Sequence, residues 1–360
     1  MSNVNKLNGI ELLRKLSLAF GPTGCEDEVA DIIIERVKDT AHTLRRDCMG
    51  NVIAGMSFGT SKERKKLMVS AHMDEVGFMV TGISEDGTVQ FGNVGGIDPS
   101  VLAGRKVILG DERAESRVNG VIASKAIHHK EKDERGKPVK AKNLYIDIGA
   151  KDKEDCEKLL GIGSFGTFDS EFVVFGKNGS TVKSKALDDR MGCAAMIEVM
   201  DSLSADPPSC NLDVYFCFTV REETGLSGAR TAASKLAPDY ALVLETTAVG
   251  DIAGTPEARR VSKLGDGGTI SIMDRSTIYD KKFVSFALDL AKSREIPAQV
   301  KKYVSGGNDA GSIHKSGVGV KALALSVPTR YLHSPACVAS LEDYGSVMKL
   351  TEAIIRNFDL

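Results

Sequence analysis

From Phe172 to the C-terminus, short apolar runs alternate with segments of helical period, and no other feature narrows the possible folds as far. The runs Phe172–Phe175, Leu212–Thr219, Tyr240–Leu244 and Gly268–Met273 read as strands. Between and after them, 190–203, Leu226–Leu236, Thr277–Arg294 and Leu341–Phe358 read as helices. This alternation predicts an α/β fold, a mixed and mostly parallel sheet sandwiched by helices. The N-terminal part begins the same way. Ile10, Leu13, Leu16 and Phe20 mark a first helix, and Thr23-Gly24-Cys25-Glu26 reads as a capping box opening a second along Val29, Ile33 and Val37. A strand pair over 42–58 then turns at Gly50-Asn51, and KLMVSA (66–71) suits a buried strand ending at His72.

From about 75 to 170 the pattern is different. VGFMVTGI, RKVILG and LYIDIGA are short β-like runs between Gly-rich turns, with the charged stretch HHKEKDERGKPVK left to solvent. The expectation is a β-barrel-like domain at 75–170 inserted into an α/β domain built from 1–74 and 171–360. A chain of 360 residues is long enough for two cores, since single cores stop growing near ~250–300 residues.

Charge restricts the partners. The 47 basic and 49 acidic side chains nearly cancel, so no field is built in for nucleic acid or an anionic membrane. No run resembles a signal peptide or a membrane span. Seven scattered cysteines, none spaced Cys-x-x-Cys, suit reduced thiols in a cytoplasm, with Cys193 and Cys217 as packing residues.

In open α/β sheets the site lies beyond the carboxyl ends of the strands. His72 and Asp74 follow KLMVSA; Asp188 and Asp189 precede the helix at Arg190; Glu222 and Glu223 follow LDVYFCFTV; Glu245 ends YALVL; His333 follows ALALSV. Each has an ordinary alternative: a hydrogen-bonded strand-end pair, acidic residues at a helix N-terminus, a solvated Glu-Glu turn, a loop histidine. Delivered together to one edge by five segments, they form the nitrogen and oxygen donor set that suits zinc, cobalt or manganese.

The segments AHMDEVGF (71–78), ALDDRMG (186–192), REETGLSGA (221–229), GGNDA (306–310) and RYLHSP (330–335), with GGIDPSVLAG (95–104) between them, resemble the signature segments of the tetrahedral and glutamyl aminopeptidase family of two-metal peptidases. The resemblance spans nearly the whole chain. It implies a zinc-exopeptidase-like sheet domain carrying two divalent ions, zinc or cobalt, and an inserted barrel that builds dimers assembling into tetrahedral dodecamers. Carried over, it makes Asp188 the bridging ligand. His72 and Glu245 complete one metal site, Glu223 and His333 the other. Glu222 becomes the general base, and Asp74 the partner of the free ring nitrogen of His72. Short peptides are the implied substrates. Three positions depart from the family's usual residues: Glu245 for aspartate, Asp189 for asparagine and Asn308 for threonine. Asp251 is the alternative carboxylate should Glu245 not serve.

Two other readings compete. A cellulase-like glycoside hydrolase also uses two carboxylates, but it has no need of His72 and His333, and adjacent glutamates are poorly placed to flank a bond across about 5–9.5 Å. An inactive peptide-binding assembly conflicts with the competent residue at every catalytic position. Arg259 and Arg260 read as surface charge, with a subsidiary reading as a site for an acidic side chain.

Overall fold

The computed structural model describes residues 3–111, 113–129 and 139–360. The stretch HHKEKDERGKPVK therefore lies mostly outside the described residues. In chain order the elements are α1 (Asn3–Leu18), α2 (Asp27–Val37), β1 (Thr43–Arg46), β2 (Val52–Phe58), β3 (Lys65–His72), β4 (Gly77–Ile83), β5 (Val89–Val94), β6 (Lys106–Gly110), β7 (Val118–Ser124), β8 (Leu144–Asp147), α3 (Lys153–Glu157), β9 (Phe165–Phe168), β10 (Val173–Phe175) and β11 (Thr181–Ser184). There follow α4 (Leu187–Ala205), β12 (Leu212–Thr219), α5 (Ser227–Leu236), β13 (Tyr240–Ala248), β14 (Gly268–Ile270), α6 (Lys281–Ser293), β15 (Ala298–Val300), α7 (Ala310–Ile313), β16 (Lys321–Arg330), β17 (Cys337–Ser340) and α8 (Leu341–Arg356).

One large mixed sheet runs β1-β2-β12-β3-β13-β16-β17-β11-β10, with β14 and β15 attached beside β16. Its centre, β12-β3-β13-β16, is parallel. Antiparallel strands flank that centre on both sides. The parallel strands are covered on both faces, which is why KLMVSA, LDVYFCFT and YALVL are nearly continuous apolar runs. Helix α4 is apolar almost all round, burying Met191, Cys193, Met196, Ile197, Val199 and Met200, and so serves as the central covering helix. The second sheet closes on itself as the barrel β4-β5-β8-β7-β6-β9. It has its own core, in which Phe78 meets Phe91 and Phe168 edge to face at centroid distances of 5.3 and 5.1 Å.

The expected capping box is not formed. Thr23 donates its hydroxyl to Asp74 Oδ2 at 2.8 Å, and Glu26 Oε1 accepts from the backbone N–H of Gly24 at 2.8 Å. Asp74 is fully buried and needs donors, whereas the helix starts later, at Asp27 with Glu26 as its N-cap, so the tertiary partner takes the hydroxyl. The expected helix over Thr277–Arg294 starts later, at Lys281, because Asp280 caps it by accepting the N–H of Phe283. Among the described residues, no helix is long and apolar enough to cross a membrane.

Candidate metal centre

Parallel β3, β12 and β13 end at the same side of the sheet, and the site stands there. His72 closes β3 in register with Thr219 at the end of β12. Glu222 and Glu223 come just past β12, after Arg221 turns the chain with a φ of 58°. Glu245 lies inside β13 opposite Ser326 of β16, and His333 follows the end of β16. Asp188 sits at the entrance of α4, where it and Asp189 leave helical geometry.

Asp188 lies between the two histidines. Its Oδ1 is 3.3 Å from His72 Nε2 and its Oδ2 is 3.3 Å from His333 Nε2. Glu245 Oε2 approaches His72 Nε2 at 3.8 Å, and Glu223 Oε1 approaches His333 Nε2 at 3.1 Å. Two trios result, His72 with Asp188 and Glu245, and Asp188 with Glu223 and His333; in each the ligand atoms lie within 4.8 Å of one another. Glu222 stands near enough to His72 and Glu223 to form a third such group.

Both rings turn the same nitrogen inward. Nδ1 of His72 is 3.0 Å from the carbonyl of Asp74, and Nδ1 of His333 is 2.6 Å from the carbonyl of Gly96. A carbonyl only accepts, so Nδ1 carries a proton and Nε2 is the ring atom left to face the site. Asp74, expected as the partner of this ring nitrogen, meets it twice, with its backbone carbonyl at 3.0 Å and its carboxylate Oδ1 at 3.5 Å. The carboxylate has a second task. Its Oδ1 accepts the N–H of Glu222 at 3.0 Å, and its Oδ2 accepts the N–H of Glu223 at 3.1 Å.

These residues suit a cation. Asp188 Oδ1 and Glu245 Oε1 are buried yet accept no hydrogen bond, as expected of oxygens converging on a common centre. The electrostatics agree. Burial pushes the carboxyl groups of Glu222 and Glu245 well above the usual range and raises Glu223 as well. At His333 burial opposes protonation, but Asp188 and Glu223 outweigh it and lift the imidazole to about 11. His72 is raised in the same way by Asp188 and Asp74 against its burial. For Asp188 the burial is overcome by the two histidines, which hold it below the carboxylate range. Without metal, then, the site recruits protons to neutralise its negative charge.

A second buried cluster fixes the approach to Asp188. Arg190 donates to the carbonyls of Met73, Leu16 and Gly21 at 2.7, 2.5 and 3.2 Å. Lys185 donates to Glu75 Oε1 at 2.5 Å, while Thr167 of the barrel donates to Glu75 Oε2 at 2.7 Å. Glu75 thus joins barrel and sheet beside the site. Sequence reasoning missed Glu75, Thr23 and the carbonyl of Gly96, although AHMDEVGF and GGIDPSVLAG contain two of them. Asp251, the alternative carboxylate, is held by Arg330 in a two-bond fork at 2.8 Å each and takes no part in the site. Asn308 bonds Tyr279, Asp189 accepts the N–H of Gly192, and Arg259 and Arg260 are exposed.

Residues 50–350 match the family of M42 glutamyl aminopeptidases. The lysyl aminopeptidase of Pyrococcus furiosus is 31% identical over 96% of this chain and 96% of its own length. Among solved structures, a TET aminopeptidase from the marine sediment archaeon Thaumarchaeota archaeon SCGC AB-539-E09 superposes with a TM-score of 0.94 at 35% identity, covering 100% of this chain and 98% of that one. The Pyrococcus horikoshii TET1 peptidase, which can assemble into a tetrahedron or a large octahedral shell, gives 0.84 at 33% identity over 97% and 100%. A Thermotoga maritima protein described as an endoglucanase gives 0.77 at 34% identity over 95% and 96%.

Proposed function

The chain belongs to the M42 glutamyl aminopeptidase family, and on that premise we propose that it removes N-terminal residues from short peptides at a centre of two divalent metal ions, with Glu222 as general base. Membership makes it a peptide-bond hydrolase and implies a divalent metal cofactor. The observation that carries the two-metal reading is Asp188, one oxygen turned to each histidine. His72, Asp188 and Glu245 would hold one ion, and Asp188, Glu223 and His333 the other, with zinc or cobalt suited to the donors. When bound, such a pair lowers the pKa of a shared water and polarises the scissile carbonyl.

Glu222 is not needed for either trio. Its carboxyl group, raised by burial, is suited to take a proton from water and hand it to the leaving amine. Asp74 fixes both glutamates through their backbone N–H groups, so the ligand and the base keep separate positions.

By likeness to the shell-forming Pyrococcus horikoshii protein, the chain forms a homo-oligomer in which the inserted domain, residues 75–170, supplies contacts and 1–74 with 171–360 supplies catalysis. Ile162, Leu159 and Val121, exposed on the barrel domain, support this. Seven thiols, none in a disulfide, support a cytoplasmic setting.

Hydrolysis of aminoacyl-p-nitroanilides by metal-loaded protein tests the reading, with N-acetylated substrates and a soluble glucan as controls. Release from free amines alone, abolished by chelator, is expected. Glucan cleavage, or equal cleavage of acetylated substrates, contradicts it. Light scattering tests the assembly: a monomer of 38.5 kDa would count against it.

A further inference from the structure

On the turn that carries Glu222, four consecutive backbone N–H groups are each held by a side chain from elsewhere in the chain. The N–H of Val220 donates to Asn51 Oδ1 at 3.0 Å and that of Arg221 to Glu26 Oε1 at 3.3 Å. Those of Glu222 and Glu223 donate to Asp74 Oδ1 and Oδ2 at 3.0 and 3.1 Å. Asn51 and Asp74 adjoin β2 and β3, but Glu26 comes from the segment Thr23-Gly24-Cys25-Glu26 that precedes α2. Thr23 of that segment donates to Asp74. The four residues that read as a helix cap thus reach the same turn twice, once directly and once through Asp74.

Glu26 is held in place for this contact. It is 7% exposed, and although it stands at the N-cap of α2 its side chain makes no cap hydrogen bond. Its Oε1 also accepts the N–H of Gly24, which fixes the carboxylate over its own loop. Backbone bonds tie that loop to the entrance of the barrel, from the N–H of Thr23 to the carbonyl of Glu75 and from the N–H of Glu75 to the carbonyl of Gly21. Burial and the neighbouring charge of Asp74 lift the carboxyl group to about 7, with the N–H of Gly24 among the groups that oppose them.

Arg221 shows what the contact does. Its φ of 58° lies in the left-handed region, which a non-glycine residue keeps only where its surroundings hold it. The angle turns about the bond next to the N–H that Glu26 accepts. Without that acceptor the peptide plane can rotate and Arg221 can return towards negative φ. Glu222 is the next residue and moves first. Glu223 is one position further on and has His333 Nε2 beside its carboxylate at 3.1 Å.

We infer that Glu26 is a positioning residue for the general base: by holding the N–H of Arg221 it aims Glu222 at the centre, and it leaves the metal ligands where they are. The inference rests on the aminopeptidase reading above.

The test measures metal content, kcat and KM for Glu26→Ala, Glu26→Asp and Glu26→Gln in the metal-loaded full chain, on the aminoacyl-p-nitroanilide that the wild type cleaves best. Glu26→Ala should lower kcat by about 10- to 100-fold, with KM within a few-fold and metal content unchanged. Glu26→Asp, one methylene short of Arg221, should lose as much. Glu26→Gln, whose carbonyl oxygen accepts the same N–H groups, should recover most of the turnover. In a Glu222→Gln background Glu26→Ala should cost less than about 3-fold more, because a residue that works through the base has nothing left to position. Normal kcat in Glu26→Ala overturns the inference, as does a loss of metal that matches the loss of turnover or a full further loss in the Glu222→Gln background. Should Glu26→Ala fail to fold, the other two decide, and equal turnover in Glu26→Asp and Glu26→Gln overturns it. A wild type that cleaves no aminoacyl substrate overturns the aminopeptidase reading instead, and the inference with it.

Discussion

The carbonyl of Gly96, on the connection between barrel strands, stands 2.6 Å from Nδ1 of His333. One candidate ligand is thus oriented by backbone from outside the sheet, and the barrel becomes part of the site. Gly95 lets the backbone get there: its φ is +83°, and an added Cβ would meet Val76 Cγ1 at 2.8 Å and Glu223 Cβ at 3.3 Å. Gly95→Ala should therefore displace this turn and weaken one metal equivalent by about 10- to 100-fold, with the other retained. Calorimetric titration of metal-free protein checks it. Two unchanged affinities would remove the barrel from the site.

Asp74 leads to a different expectation. Each of its oxygens accepts the N–H of one glutamate, so Asp74→Asn must turn an amide N–H₂ towards one of those donors. The turn carrying Glu222 and Glu223 should loosen, and kcat should fall by about 10- to 100-fold. Thr23→Val removes a single donor to Oδ2, a bond to a buried carboxylate, and should cost about 1.5–3 kcal/mol of stability with kcat little changed. Thermal unfolding measured beside turnover would separate the two, and an Asp74→Asn enzyme of normal kcat would refute the role.

The pH dependence of metal uptake follows from the raised imidazoles. Without metal, His333 titrates at about 11 and His72 well above its ordinary value, so both are protonated at neutral pH. Their ion pairs contribute fully to metal-free stability below the unfolded histidine pKa near ~6.5, and this is lost as pH rises through the folded value. Ligation needs the Nε2 lone pair, so metal must displace these protons. Affinity should rise with pH between 6.5 and 8.5, and a weakly buffered solution should acidify on metal addition. Pairing pH-stat records with affinities at both values checks the sign; uptake without proton release would contradict it.

How far the sequence was legible depended on whether a residue's work is local or tertiary. The strand runs up to His72, before Glu222 and up to Glu245 were readable because burial on both faces demands continuous apolar residues, although β13 runs on past Glu245 to Ala248 through Thr246 and Thr247, which no apolar run marks. Gathering the site residues needed only the rule that parallel strands deliver them to one edge. Thr23 was misread because its hydroxyl could satisfy either a local helix end or Asp74, 51 positions away, and only folding decides between them. The helix from Lys281 was read too long because Thr277 donates its N–H to Asp274 in a turn that no periodicity marks. The carbonyl of Gly96 was beyond reach, since backbone groups have no sequence signature.

Glu245→Ala should reduce bound metal towards one ion per chain. Its Oε1 is buried without a hydrogen bond, and Asp251 cannot replace it while the Arg330 fork holds that carboxylate. Metal analysis after gel filtration decides it. Two ions bound with unchanged affinity would mean that Glu245 is not a ligand.

The last expectation separates two neighbours that the mechanism gives different work. Glu223 Oε1 is 3.1 Å from His333 Nε2, inside one trio, whereas Glu222 belongs to neither of the two trios that share Asp188. In extended backbone, successive side chains point opposite ways, so both can face one centre only where the chain turns. That turn is present: Arg221 has a φ of 58°, Gly225 one of +123°, and Asp74 accepts the N–H groups of Glu222 and Glu223 between them. Glu222→Gln should therefore keep both metals and lose about 10²- to 10⁴-fold in turnover, because an amide cannot accept the water's proton. Glu223→Gln should weaken one metal, since a neutral amide oxygen is a poorer ligand and the site loses one of its carboxylates. Metal analysis and peptide hydrolysis on the same preparations distinguish the outcomes. Loss of metal from Glu222→Gln with retention by Glu223→Gln would reverse the roles, and full activity in both would remove the two-metal mechanism.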